Sequence, residues 1–229
     1  MRIGIAGCAG RMGKMLIDAV REHSQCRLTV ASARTDGLEE VHTYLQREGL
    51  LQVLLTDDLN ELARNCDAVI DFTSPDYTLL IAQACAVHHT IHICGTTGFS
   101  AEQDIALETL AQRMCLVKSA NFSIGVNLLM RLTREVAAVL DKEYDIEITD
   151  IHHRYKKDAP SGTALALGHA AAAGRGVALH DVADRGRDGL TGERIAGAIG
   201  FHGVRGGDVI GDHTVLFAGD GERLELTHK

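Results

Sequence analysis

The sequence predicts an α/β chain in two parts: an N-terminal domain built on a parallel sheet, then an α+β C-terminal domain with a mixed, largely antiparallel sheet. Three observations carry this. Over residues 1–117, short continuously apolar runs alternate with helical runs, a pattern that implies right-handed crossovers and a sheet buried on both faces. A glycine-rich turn separates the first apolar run from the first helix. Near Asn121 the rhythm changes, and later strand-like segments alternate polar with apolar residues. The division expected is residues 1–122 and 123–229.

Taken in order, residues 1–6 read as a buried strand and 7–13 as a tight turn. Residues 11–23 read as a helix with Met12, Met15, Leu16, Ala19 and Val20 on its apolar face. Residues 27–33 form a second strand. Residues 36–56 are irregular and polar in places, which predicts a surface excursion with a short helix. A helix over 58–65 and a third strand over 68–72 follow, and Pro75 suits the first turn of a helix reaching about His88. Residues 91–94 and 115–117 are the fourth and fifth strands, with a helix over 101–113 between them. Ser123 caps a long helix over 124–140. Along residues 144–153, Ile146, Ile148 and Asp150 alternate against Glu147 and Thr149, as in a strand with one solvated face. A helix over 161–173, a loop over 174–194 and strands over 195–201, 208–213 and 214–218 complete the pattern. Asp220-Gly221 marks a hairpin turn into residues 223–227.

Composition excludes several function classes. With 229 residues and 45% hydrophobic content, the chain can bury a substantial core as a soluble protein. A net charge of −8 argues against bulk electrostatic binding to nucleic acid or to a membrane surface. No apolar run is long enough to span a bilayer, and Gly7, Gly10, Arg11 and Gly13 break up any N-terminal targeting core. Cys8, Cys26, Cys66, Cys85, Cys94 and Cys115 contain no C-x-x-C pair. They read as reduced, mostly buried thiols of a cytoplasmic protein. His88, His89 and His92 cluster where a helix gives way to a strand. No carboxylate is near them in the sequence, so no metal is expected.

Two segments carry chemistry. The first is Gly7-Cys8-Ala9-Gly10-Arg11-Met12-Gly13, where glycines permit a tight turn and let a pyrophosphate approach a helix N-terminus. Ala9 and Met12 depart from the strict G-x-G-x-x-G spacing. Its place after the first strand of an alternating pattern identifies a Rossmann-like dinucleotide-binding domain. The second strand ends in Ala31-Ser32-Ala33-Arg34-Thr35, with no acid for a ribose hydroxyl but an arginine suited to a 2′-phosphate. Phe72 ends the third strand, Gly95, Thr96 and Thr97 follow the fourth, and Ser119, Ala120, Asn121 and Phe122 follow the fifth. Carboxyl ends of parallel strands are where such sheets bind ligands. These segments are the expected contacts of NADPH or NADH, with NADPH favoured.

The second segment is His152-His153-Arg154-Tyr155-Lys156-Lys157-Asp158-Ala159-Pro160-Ser161-Gly162-Thr163. Imidazole exchanges protons near neutral pH. Lysine supplies a cation, and the free amides where a helix opens at Ser161, Gly162 and Thr163 attract anions. Proton donors, cations and anion-binding amides together suit a small, multiply carboxylated substrate.

Together these motifs closely resemble the dihydrodipicolinate reductase family, also called 4-hydroxy-tetrahydrodipicolinate reductases. The match includes residues 6–13, 71–73, 95–99, 120–127, 152–164, 192–194 and 211–214. The resemblance implies reduction of a cyclic dicarboxylate by NAD(P)H in diaminopimelate and lysine biosynthesis. It assigns protonation to His152 and Lys156, and substrate binding to His153, Gly162 and Thr163. It also implies a homotetramer formed through the C-terminal sheet, and about forty further residues returning to the cofactor domain, judged against usual domain size. Ala33 stands where the family often has an acid, which weakens any strict NADH preference. The competing readings are a non-catalytic dinucleotide sensor, a truncated inactive homologue, or a related amino-acid or aspartate-semialdehyde type dehydrogenase, which would need a catalytic cysteine such as Cys94 or a different histidine after the cofactor loops. The retained proton donors argue against a sensor, and the apolar strand around Cys94 argues against a nucleophile.

Overall fold

Strand β1 (Arg2–Ala6) has no polar side chain after Arg2, so it is confined to the middle of a sheet covered on both faces. It pairs in parallel with β2 (Arg27–Ser32) on one side and β4 (Ala68–Asp71) on the other. Helix α1 (Arg11–Glu22) connects the first two strands and buries Gly13, Ile17 and Val20. Beyond β2 lies β3 (Leu54–Thr56), reached through α2 (Leu38–Arg47), whose Val41 and Leu45 are buried. Helix α3 (Leu59–Arg64), capped by the Asp58 side chain, leads back to β4. Helix α4 (Pro75–His88), strand β5 (Ile91–Cys94), helix α5 (Ala101–Ala111) and strand β6 (Leu116–Lys118) complete this unit. The sheet order is β3-β2-β1-β4-β5-β6. In the computed structural model, which describes residues 1–229, this first compact unit is Met1–Ala120 and the second is Asn121–Lys229.

The second unit is built on a five-stranded mixed sheet of order β11-β10-β7-β9-β8. Helix α6 (Ile124–Val139) opens with the Ser123 hydroxyl accepting from the Val126 amide. Strand β7 (Asp145–His152) alternates strictly between half-buried and buried positions. Helix α7 (Gly162–Gly174) packs on the buried face, where Ile146, Ile148, Leu167, Ala171, Ile199, Val215 and Phe217 form one core. A short helix α8 (Leu179–Val182) and strand β8 (Ala183–Asp184) precede β9 (Ile199–Arg205), β10 (Asp212–Gly219) and β11 (Glu222–His228). β10 runs antiparallel to β7 and β11, whereas β9 runs parallel to β7 and β8.

The two-sheet α/β class holds, but four local expectations do not. The loop expected over 174–194 contains α8 and β8, because the Ala183–Asp184 backbone pairs in parallel with Ile199 and Gly200 of β9. Residues 36–56 hold the expected helix but also the edge strand β3, because the Leu54–Thr56 backbone completes the ladder of β2. The stretch 195–198 is a turn, with Gly197 at φ +80°, and β9 starts at Ile199. Its bend is held by Arg194, which donates to the Ile146 and Ala198 carbonyls and to the Asp145 and Glu147 carboxylates. Residues 208–218 hold one strand rather than two, since β10 pairs with β7 without a break from Asp212 to Ala218. No helix is long and apolar enough to cross a membrane.

Candidate active site

In the first unit, the turn after β1 has a geometry that could hold a negatively charged group. Gly7 takes φ +71°, a conformation open to glycine without strain, and its carbonyl accepts from the Gly10 amide at 3.0 Å. Helix α1 then begins at Arg11 with no acidic residue in its first turn. Its free amides and positive dipole end are therefore unopposed. Cys8 is fully buried, its thiol donating to the Ile5 carbonyl, and burial pushes its pKa up to about 12. It is inert, and only its backbone is available to a ligand. Arg11 and Met12 are exposed. A cavity of about 380 Å³ beside this turn is lined by Gly7, Ala9, Gly10, Ala33, Arg34 and Tyr77, among others. Arg34 is exposed at its rim, 3.7 Å from the Asp36 carboxylate.

Gly13 shows how tightly the cradle is built. A Cβ there would lie 2.5 Å from the Gly7 carbonyl oxygen and 2.5 Å from Cys8 Cα. Because backbone is what it would strike, Gly13→Ala should displace the turn itself. The expected cost is about 1–3 kcal/mol of stability, the usual range for overpacking, together with weakened dinucleotide binding. Thermal unfolding and a cofactor titration test this, and unchanged dinucleotide affinity would contradict the cradle.

The tips of β4 and β5 are joined by a buried polar knot. Asp71 accepts from the Thr73 amide at 3.0 Å, the Thr73 hydroxyl at 2.6 Å and the Thr78 hydroxyl at 2.7 Å, and its Oδ2 lies 3.1 Å from His92 Nε2. Burial raises the Asp71 pKa, but the bonds from His92, Thr73 and Thr78 outweigh it and hold the carboxyl below its ordinary value. The expectation that the histidine group lacks a carboxylate is thus corrected. His92 points inside the sheet onto Asp71, a neighbour that only strand pairing supplies. Thr96 is buried in the same knot, its hydroxyl accepting from the Thr73 amide. Its side chain fixes the loop, while Thr97 is exposed. Gly95 lies under the Phe72 ring, where a Cβ would come within 2.2 Å of the ring. Cys94 is buried, and burial raises its pKa, which removes it as a nucleophile.

Ser119 and Ala120 end the first unit, and Asn121 and Phe122 begin the second. Asn121 accepts from the Ser123 amide through its side chain, and its own side-chain amide donates to the Thr163 hydroxyl at 3.3 Å. Phe122 is 41% exposed.

In the second unit, the face of β7 that buries Ile146 and Ile148 ends in Asp150 and His152. His152 Nδ1 stands 2.9 Å from Asp150 Oδ2. The ring of His213 from β10 meets the His152 ring edge to face at 5.1 Å. Burial is the first cause of the lowered His152 pKa, aided by the Lys156 and Arg205 cations and opposed by Asp150. Burial likewise pushes His213 down to about 4, so it is neutral near pH 7. Lys156 is mostly buried and pairs with Asp158 at 3.0 Å. At the start of α7, the Ser161 hydroxyl accepts from the Ala164 amide and lies 3.3 Å from His213 Nε2. The first turn of α7 has no acidic residue, so no carboxylate opposes an anion at the Gly162 and Thr163 amides. Gly211 borders His152 Nε2, where an added Cβ would approach to 2.9 Å.

The structure thus groups His152, Lys156 and the start of α7 at one end of the second sheet. Sequence reasoning left out Asp150, Arg205 and His213 as site residues. The period-two pattern had placed Asp150 on the inner face, which was the available signal. The registers His213↔Asp150 and His152↔Arg205 depend on strand pairing.

Comparison with known proteins shows the family. Residues 1–122 match the profile described as Dihydrodipicolinate reductase, N-terminus, and residues 125–229 match Dihydrodipicolinate reductase, C-terminus. The chain is 49% identical to 4-hydroxy-tetrahydrodipicolinate reductase of Dinoroseobacter shibae, with 99% of this chain and 85% of that protein aligned. It is 48% identical to the protein of the same name from Burkholderia ambifaria, covering all of this chain and 87% of the relative. Among solved structures, a dipicolinate-bound dihydrodipicolinate reductase from Paenisporosarcina sp. TG-14 superposes with a TM-score of 0.76 at 26% identity, covering 100% of this chain and 87% of that one. With both halves matched and nearly half of its residues identical to named relatives, this chain belongs to the dihydrodipicolinate reductase family.

Proposed function

We propose that this chain reduces 4-hydroxy-tetrahydrodipicolinate (dihydrodipicolinate) to tetrahydrodipicolinate, using NADPH or NADH, in diaminopimelate and lysine biosynthesis. The observation that carries the reading is the grouping at one end of the second sheet: a buried imidazole, a sheltered ammonium and unopposed helix amides. When bound, the reduced nicotinamide supplies the hydride. Lys156, His153 and the Gly162 and Thr163 amides hold the substrate carboxylates. His152 delivers the proton to the carbon beside the one that receives the hydride, with Lys156 assisting by charge or as a second donor. The glycine turn after β1 holds the pyrophosphate, and the segments ending β4, β5 and β6 hold the nicotinamide half. The test is the fall of nicotinamide absorbance on adding the product of dihydrodipicolinate synthase. Absence of cofactor oxidation in a folded sample would sink the reading.

NADPH is expected to serve at least as well as NADH. Ala33 removes a carboxylate that would repel a 2′-phosphate, and the exposed Arg34 is free to turn from Asp36 toward that phosphate. Arg34→Ala should lower kcat/KM for NADPH by about tenfold or more, as for loss of one charged hydrogen bond, and leave NADH largely unaffected. A strong NADH preference that this change does not alter would contradict the assignment. A cytoplasmic homotetramer belongs to the same reading. β11 offers an exposed edge with Leu224 uncovered, a feature that proteins usually pair or cover, and light scattering reports the assembly.

A further inference from the structure

Asp150 is 1% exposed, yet neither of its carboxylate oxygens has a hydrogen-bond partner. A buried carboxylate left in this state is costly, and such groups call for an explanation. One imidazole nitrogen and one cation stand at contact distance without hydrogen-bond alignment: His152 Nδ1 at 2.9 Å and Arg205 Nη1 at 3.2 Å, both from Oδ2. The His152 Nδ1 is itself unpartnered. Strand register enforces the grouping. Asp150 and His152 are two residues apart on the inner face of β7, and Arg205 of β9 lies beside His152. Gly203, opposite Asp150, contributes no side chain that could shield it.

We propose that Asp150 is a positioning residue for proton delivery: its orphaned carboxylate is the counter-charge that His152 acquires on becoming an imidazolium, which directs the transferable proton to Nε2. This rests on the reading of His152 as proton donor. In the neutral ring, the Asp150 charge is answered only by Arg205. Protonation of His152 adds a second cation at 2.9 Å, so the carboxylate favours the acid form that the reaction needs. Arg205 limits this attraction by sharing the same oxygen. It also donates to the Asp158 carbonyl at 2.8 Å, and so ties the loop that carries Lys156 to the same carboxylate. The remaining charged or titratable groups facing His152 are Lys156 from that loop and His213 from β10. Lys156 opposes the imidazolium, and His213 stays neutral near pH 7 through burial.

The test is Asp150→Asn and Arg205→Gln in the full chain, with Asp150→Glu as the conservative rescue. Two readouts are compared: the pH titration of the His152 ring followed by NMR and assigned with His152→Gln, and the pH profile of kcat. General-acid activity is lost as pH rises through the pKa of the donor. In Asp150→Asn the ring should therefore titrate at lower pH, the alkaline limb of kcat should move the same way, and kcat near neutral pH should fall about tenfold or more, at most by the 10²–10⁴-fold that general acid catalysis contributes. Arg205→Gln should move both readouts to higher pH, and Asp150→Glu should restore part of the loss. A His152 titration unchanged in folded Asp150→Asn overturns the proposal, and the Arg205→Gln direction decides the matter if Asp150→Asn does not fold. If the titration moves as expected while kcat and its pH profile stay put, the coupling stands and His152 as the donor is overturned.

Discussion

Replacing His152 with glutamine should cut kcat by about 10²–10⁴-fold, the usual contribution of a positioned general acid, while dinucleotide affinity stays close to normal. Hydride arrival leaves electron density on the adjacent substrate carbon, and a proton must follow. Glutamine is similar in reach and polarity but cannot give up a proton. The loss should fall on kcat because the missing interaction forms only in the transition state. The geometry sharpens the expectation. His152 sits with Nδ1 toward a buried carboxylate and Nε2 toward Gly211, so one nitrogen faces the counter-charge and the other faces a residue without a side chain. Steady-state kinetics over pH 6–8 decide the matter. If kcat stayed within a factor of about three, far below the general-acid range, the proton would have to come from Lys156 or from water.

Lys156→Ala should act on both parameters. Loss of a charged hydrogen bond to a substrate carboxylate should raise KM by about tenfold or more, given ~1.5–3 kcal/mol for such a bond. A reduced kcat should accompany it, because the assisting cation is gone. The pH dependence carries a separate sign. Lys156 is one of the cations that hold the His152 pKa down. Without it that pKa should rise, and the alkaline limb of the kcat profile should move to higher pH, opposite to the shift expected for Asp150→Asn. A raised KM with an unmoved limb would mean that Lys156 binds substrate without acting on His152.

How far the sequence carries depends on the range of the forces involved. Helices α1, α4, α6 and α7 were legible because their start signals are local: Gly10, Pro75, Ser123 and Ser161 stand where each helix opens. The parallel sheet was legible because strands buried on both faces must be apolar throughout, as β1 is. Strand β3 was not, because three residues carry no readable period and become a strand only through the ladder of β2. The start of β9 was misplaced for a similar reason. Residues 195–198 are apolar enough for a strand, but Arg194 draws them into a turn through carbonyls of Ile146 and Ala198, one of them far off in the chain.

The same division holds at the candidate site. By itself the sequence determined the two-part α/β class and the chemistry-bearing runs at residues 7–13 and 152–163, whose residue types state their chemistry without reference to neighbours. Only the tertiary structure decided that His92 answers Asp71, and that Asp150 is a buried carboxylate facing His152 and Arg205. Strand register also set His213 opposite Asp150. Charges interact through space at a strength set by burial and distance, and both quantities come into being when distant strands pair.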